Sequence, residues 1–227
     1  MTVAKGERTP ALTDLIACEV VVDPVFDQNC YVLHRRDTDR ALVVDPGLQG
    51  EAVVRLLEDR GWTCELILAT HGHPDHVLGV PALRRLAPAA RLHLHQADWA
   101  LLDPAAWHGL GLPVHALETI VPDADLPGGT AVSWRGLELA VLHTPGHTPG
   151  SVSLVAGSAC FSGDTLFAGS VGRTDLPGGS GPALVFSVRS QLFTLPGPTV
   201  VHPGHGRPTT ILAERLHNPF VGDAAGG

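Results

Sequence analysis

Glu65-Leu66-Ile67-Leu68-Ala69-Thr70-His71-Gly72-His73-Pro74-Asp75-His76 joins two signals that decide how the rest of the chain is read. Its first five residues are short, apolar and bounded by turn residues, which predicts a buried strand. The strand delivers residues 70 to 76 into a loop, where backbone turns aim several side chains at one point. Three imidazoles and a carboxylate between residues 71 and 76 are too many hydrogen-bonding groups for a packed core. They are also the borderline ligands that zinc or iron accepts. A metal is the economical explanation, and a solvated His-rich loop is the alternative.

Upstream, Cys18 to Val22, Asn29 to Leu33 and Ala41 to Val44 are predicted strands. The third ends at Asp45-Pro46-Gly47, a turn in which Pro presets one dihedral and Gly permits a positive one. From Gly50 to Arg60 the period becomes helical, with Val53, Val54, Leu56 and Leu57 largely on one side and Gly61 as the stop. Downstream, Pro81 to Leu86 reads as a helix and Arg91 to Leu94 as a strand. Residues 96 to 128 read as an irregular excursion over one edge of the fold, with a short helix through Ala97 to Leu102.

The second half repeats this texture. Strands are expected at Ala131 to Trp134, Leu137 to Leu142, Ser151 to Val155, Ala159 to Phe161 and Thr199 to Val201, with helices at Pro182 to Phe193 and Thr210 to Leu216. Strands and helices interleaved in both halves make this an α/β chain. Two half-buried sheets, each with helices outside, satisfy each other face to face, which predicts four layers with strand-end loops converging at one edge. Residues 1 to 15 read as a loose leader and residues 16 to 227 as a single domain.

A chain of 227 residues, 44% of them hydrophobic, can bury a sizeable core. Its 15 basic and 23 acidic side chains include no Lys/Arg run, which argues against a nucleic-acid partner. Cys18, Cys30, Cys64 and Cys160 show no CxxC spacing and read as small, reduced, buried hydrophobes. No stretch reaches the roughly 18 apolar residues a membrane span needs, and the first eleven residues hold no signal-peptide core. The expectation is a soluble cytoplasmic protein with no membrane partner, a monomer or a homodimer formed through residues 96 to 128.

Three later sites place a ligand type in Gly or Pro turns beside a predicted strand. His147 lies in Leu142-His143-Thr144-Pro145-Gly146-His147-Thr148-Pro149-Gly150, Asp164 in Phe161-Ser162-Gly163-Asp164-Thr165, and His205 in Val201-His202-Pro203-Gly204-His205-Gly206. Such turns hold a side chain with little freedom, as ligand geometry requires. With His71, His73, Asp75 and His76 they make seven candidate ligands.

These segments, with Leu166-Phe167, Gly172-Arg173-Thr174-Asp175 and the ending Thr209-Thr210-Ile211, Glu214 and Asn218-Pro219-Phe220, resemble the metallo-beta-lactamase superfamily over about residues 15 to 220. Within it the chain looks like the glyoxalase II-type thioester hydrolases, particularly their compact bacterial relatives. The resemblance implies a four-layer αββα sandwich with metals at one sheet edge. It implies His71, His73 and His147 as ligands of a first metal, Asp75, His76 and His205 as ligands of a second, and Asp164 as the bridging carboxylate. The implied cofactor is one or two divalent metal ions, zinc as the expected ion and iron or manganese as alternatives. Asp75, His76 and Asp164 are then the catalytic set, and Arg173 matches a basic residue that contacts substrate.

The implied reaction is hydrolysis of a small acyl thioester. Two neighbouring cations acidify a water and stabilise the oxygen charge of a tetrahedral intermediate. The alternatives are a mononuclear iron persulfide dioxygenase, a lactonase or lactamase, and a metal-stabilised binding module. Two departures leave the thiol carrier open: Asp175 stands where the larger glyoxalase II enzymes carry an aromatic residue, and the helical region with which those enzymes help bind glutathione has no counterpart here. Thr70, Thr144 and Thr148 read as loop-orienting or turn-capping residues. Asp45 could accept a hydrogen bond from a ligand histidine or serve its turn alone. His93 and His95 read as one face of a strand engaged in ordinary hydrogen bonding, and the four tryptophans as packing or loop anchors.

Overall fold

The computed structural model of the chain describes residues 15–107 and 114–225. The expected leader therefore lies outside the described residues except for Leu15. Five strands, β1 (Ile16–Val22), β2 (Asn29–Arg35), β3 (Arg40–Val44), β4 (Thr63–Leu68) and β5 (Arg91–His93), form one sheet in sequence order. The first three run antiparallel, and β3, β4 and β5 run parallel, with α1 (Gly50–Arg60) as the crossover between β3 and β4. Gly61 ends α1 with a left-handed φ of 66° that glycine adopts without a Cβ clash. After β4 come α2 (Pro74–Val77) and α3 (Val80–Leu86).

The second sheet comprises β6 (Ala131–Trp134), β7 (Leu137–His143), β8 (Val152–Ala156), β9 (Ala159–Gly163), β12 (Val200–Pro203) and β13 (Thr209–Thr210), in the order β13-β12-β9-β8-β7-β6. A small hairpin, β10 (Leu166–Phe167) with β11 (Ser170–Val171), stands apart from it. Helices α4 (Gly181–Ser190) and α5 (Ile211–His217) pack outside this sheet.

Side-chain alternation explains the layering. In β3, Leu42 and Val44 enter the core between the sheets, whereas Ala41 and Val43 enter the core under α1 and α3. In β9, Phe161 faces the inter-sheet core and Cys160 the core under α4 and α5. A strand with both faces apolar is stable only when both are covered, so the pattern requires helix, sheet, sheet, helix. The fold is the four-layer αββα sandwich that the resemblance implies. All four cysteines are buried in these cores.

Several expected elements differ in detail. The His-rich loop contains one helical turn, α2, because Pro74 at its start presets φ and His73 before it stays extended. The helix expected to Phe193 stops at Ser190, and Leu192–Thr194 continues as a 3-10 turn. As expected, the described part of residues 96–128 reaches a sheet edge, where Ala124 bridges His93 of the edge strand β5, but much of it is also packed inward. Their 3-10 turns Gln96–Leu102, Pro104–Trp107 and Val114–Thr119 bury Leu102, Trp107 and Leu117 in the core that holds Val77, Val80 and Leu83. Among the described residues, the large hydrophobics left exposed in this stretch are Trp99 and Val121. β5 ends at His93, so His95 is not on a strand face; it caps the turn at Gln96 and stacks on His143 with ring centroids 4.6 Å apart. No helix among the described residues is long and apolar enough to cross a membrane.

Candidate metal centre

The C-terminal ends of β3, β4, β7, β9 and β12 open onto one rim, and each is followed within a few residues by a side chain of the site. β3 leads to Asp45, β4 to His71 and His73, β7 to His147, β9 to Asp164 and β12 to His205. Backbone bonds across the rim fix the loops to one another. Val152 N donates to Thr70 O at 2.8 Å and Asn29 N to Gly204 O at 2.7 Å, each joining the two sheets.

The seven sequence-predicted ligands meet in three overlapping groups. His71, His73 and His147 form one, His71, His76 and Asp164 a second, and Asp75, His76 and His205 a third, with the donor atoms of each group within 4.8 Å of one another. His76 Nε2 lies 3.3 Å from Asp164 Oδ1 and 3.3 Å from His205 Nε2. Asp164 Oδ2 lies 3.5 Å from His147 Nε2 and 3.4 Å from His205 Nε2, so this carboxylate stands between the groups.

Outer partners settle which ring nitrogen faces inward. His76 Nδ1 donates to Asp45 Oδ2 at 3.0 Å, His147 Nδ1 to the Arg173 carbonyl at 2.7 Å and His205 Nδ1 to the Phe26 carbonyl at 2.8 Å. Thr70 Oγ1 donates to Asp45 Oδ2 at 2.7 Å, which leaves its lone pair to accept from His71 Nδ1 at 3.1 Å. An Nδ1 that carries the proton leaves the lone pair on Nε2, the form in which imidazole binds a metal. The inward atoms are accordingly orphaned: His71 Nε2, His73 Nε2, His147 Nε2 and Asp164 Oδ1 are buried without any hydrogen-bond partner. Four such atoms would cost roughly 1–3 kcal/mol each if unsatisfied. Cations held by the overlapping groups would satisfy them, so the residues fit a metal.

Charge divides the centre. Burial, reinforced by the neighbouring imidazoles, keeps His71 well below the usual histidine range, and burial with His147 beside it brings His73 down to about 3. Burial also opposes charge on His76 and His205, but there the carboxylates outweigh it. Asp164, Asp75 and Asp45 lift His76 well above its ordinary value, and hydrogen bonds to Asp164 and Asp75 lift His205 to about 10. Burial thus disfavours charge on His71 and His73, while the Asp-lined group attracts positive charge, here protons and, in competition with them, a metal.

Two glycines make the crowding possible. A Cβ on Gly204 would collide with Asp164 Oδ1, and one on Gly172 with the Asp164 carbonyl. Arg173 lies next to Gly172, but its side chain does not enter the three groups. Its guanidinium forms a two-point ion pair with Asp175 at 2.7 and 2.8 Å on the surface. Thr144 Oγ1 is buried 3.1 Å from both Ser153 Oγ and Thr165 Oγ1, away from ligand atoms.

Four residues that the sequence did not mark as part of the site serve it. Asn29 Nδ2 donates to the carbonyls of Pro203 and Gly206 on either side of His205, Gln28 Nε2 donates to the Asp45 carbonyl, and Trp107 sets its ring edge-on to His73 at 5.0 Å. Asp98 is the fourth, with 0% exposure. A polar Gln28-Asn29 pair opening an otherwise apolar strand was a signal for the first two. Asp98 lies in irregular backbone and carried none, and Trp107, read from the sequence as a packing or loop anchor, is that and also borders His73.

The sequence model of the Metallo-beta-lactamase superfamily matches residues 23–205. Hydroxyacylglutathione hydrolase GloC of Haemophilus influenzae is 32% identical over 208 residues, 89% of this chain and 97% of its own length. Among solved structures, the BLEG-1 B3 metallo-beta-lactamase superposes with a TM-score of 0.80 at 36% identity, covering 91% of this chain and 99% of its own. TTHA1623 in a di-iron-bound form gives a TM-score of 0.72 at 35% identity, covering 88% and 98%. Agreement in sequence, in fold and along nearly the full length of these relatives means that the chain belongs to the metallo-beta-lactamase superfamily.

Proposed function

We propose that this protein hydrolyses a small acyl thioester with the help of one or two divalent metal ions, zinc as the expected ion and iron or manganese as alternatives. The carrying observation is the buried three-histidine group joined through Asp164 to a second, carboxylate-lined group that reaches solvent. The side chains of Asp75 and His205 are 22% and 24% exposed, against 2% for His147 and 0% for His76. His71, His73 and His147 would hold one ion, Asp75, His76 and His205 another, and Asp164 would touch both. When bound, such ions supply Lewis acidity, which makes water nucleophilic at neutral pH and stabilises a developing oxyanion.

The chain's own residues do the rest. Asp75 Oδ2 stands at the mouth, 3.3 Å from His205 Nε2, where it accepts hydrogen bonds from entering water. His71, through Thr70, and His76 are held by Asp45, which orients both rings in advance of reaction. Water oxygen adds to the carbonyl carbon, the carbon-sulfur bond breaks, and the water's proton ends on the departing thiolate or in solvent. A thiol is a good leaving group at neutral pH, since its ordinary pKa is about 8.5. The GloC relative supports a thioester, and its name supports glutathione as the carrier to try first. The working form is a monomer or homodimer acting on a small substrate. β-Lactam hydrolysis is the second reading, favoured by the likeness to a B3 lactamase.

One preparation of known metal content tests these readings together. S-lactoylglutathione should release thiol and acid under strictly anaerobic conditions. A chromogenic cephalosporin turned over faster would favour the lactamase. Stoichiometric oxygen uptake with a persulfide, with no anaerobic thioester cleavage by Zn-, Fe- or Mn-loaded protein, would replace hydrolysis by dioxygenase chemistry.

A further inference from the structure

We propose that Asp98 is a positioning residue that locks the loop of His71 and His73 onto the loop of His147, and so sets the spacing of the three-histidine group. The inference rests on the reading that these histidines hold a metal. Asp98 itself belongs to none of the three candidate groups.

Three donors from two loops converge on its buried carboxylate. Gly72 N, between the two histidines of the first loop, donates to Oδ2 at 2.9 Å. Thr148 Oγ1, immediately after His147, donates to the same oxygen at 2.6 Å, and Gly150 N donates to Oδ1 at 2.6 Å. Burial pushes the carboxyl pKa up, opposed by these same bonds. A buried carboxylate is tolerated only when its oxygens are so satisfied.

Packing allows no slack. A Cβ on Gly72 would lie 2.8 Å from the Asp98 carbonyl oxygen, and one on Gly150 would lie 2.6 Å from Asp98 Cγ. Both loops therefore press directly on this residue, and a longer Glu has no room. Asn would fit but would turn an N–H toward a donor. The segment that carries Asp98 is itself anchored. His95 Nδ1 accepts from Ala97 N at 3.2 Å, the His95 ring stacks on His143 of β7, and Trp99 Nε1 donates to the Leu94 carbonyl at 3.0 Å. His143 begins the connection to His147, so Asp98 and the His95 stack hold that connection at two points.

The test measures Zn(II) affinity by competition with a chromogenic chelator, the visible spectrum of the Co(II)-loaded protein, and thermal unfolding of the metal-free protein, for wild type, D98N, T148V and T148S. Removing partners that orient ligands costs roughly 10- to 100-fold in metal affinity. D98N is expected in that range with a changed Co(II) spectrum, T148V is expected to weaken binding in the same direction, and T148S, which keeps the hydroxyl, is expected to retain it. D98N and T148V that fold without metal and bind Zn(II) as tightly as wild type would overturn the inference. If D98N does not fold, the Thr148 pair decides, and equal affinity of T148V and T148S overturns it. Wild-type protein that takes up no Zn(II) would overturn the metal-site reading and this inference with it, whereas tight wild type beside equally tight variants overturns this inference alone.

Discussion

Asp45 Oδ2 accepts a hydrogen bond from His76 Nδ1 at 3.0 Å while the other oxygen of the same carboxylate accepts from Thr70 N at 2.7 Å. One buried side chain thus ties a turn after β3 to the loop after β4 and fixes the tautomer of His76. Asp45 sits at φ 53°, a left-handed conformation that Asn also tolerates. D45N is therefore expected to fold, to lose roughly 10- to 100-fold in metal affinity, and to lose turnover with it. Elemental analysis after dialysis against a weak chelator reads the first effect, and unchanged metal content would contradict the orienting role.

Asp164 lies between His76, His147 and His205, and among the described residues no other carboxylate pairs with all three. D164A is expected to lower metal content and nearly abolish turnover. It should also shrink the rise in melting temperature that metal gives the wild type, because binding energy held only by the folded state adds to stability. Full occupancy with normal kcat would reject the bridging assignment.

The main chain and the side chain of Arg173 face different surroundings. Its carbonyl accepts from His147 Nδ1, and its guanidinium sits outside, paired with Asp175. R173A keeps the carbonyl and breaks only an exposed pair, the kind worth about 0–1 kcal/mol. Metal content and melting temperature should stay put, while KM for an anionic thioester rises more than kcat falls, the mark of binding shared by ground and transition states. Loss of metal in R173A would show that the side chain, not the main chain, orients His147.

His202 lies behind the rim, 2% exposed, stacked on Phe161 with centroids 5.1 Å apart, and its Nδ1 has no partner. Burial lowers its pKa from 6.5 to about 4. The folded state then binds fewer protons than the unfolded chain between these values, so the stability contribution is full above about 6.5 and is lost as pH falls toward 4. H202F in metal-free protein should flatten that acid limb, by ~3 kcal/mol at most. Urea midpoints from pH 7 to pH 4 that run parallel for the two proteins would refute it.

The fold was legible wherever the information is local. The period of Val53, Leu57 and their neighbours announced α1, the apolar run Ala41-Leu42-Val43-Val44 announced a strand, and Gly61 announced a helix end, because each depends on residues within one or two turns of backbone. Sequence also marked His71, His73, Asp75, His76, His147, Asp164 and His205 as ligand types, since each sits in a turn beside a strand. The one-turn helix α2 and the break at Gln191 were missed because both depend on a few residues' dihedrals rather than on a repeating pattern.

What the sequence by itself determined is the alternation of elements and the set of residues able to bind a metal. Only the tertiary structure decided their partnership. Asp98 meets Gly150 across 52 positions of sequence, and Asn29 meets Gly206 across 177. Asp98 stands in a 3-10 segment with no period to announce its burial, and Arg173 turned out to offer the site a carbonyl that every residue possesses. The physical reason is range. Hydrophobic periodicity and turn preferences act between neighbours along the chain, whereas the orientation of a ligand is set by whichever hydrogen-bonding atom the packing of two sheets brings to the far side of its ring.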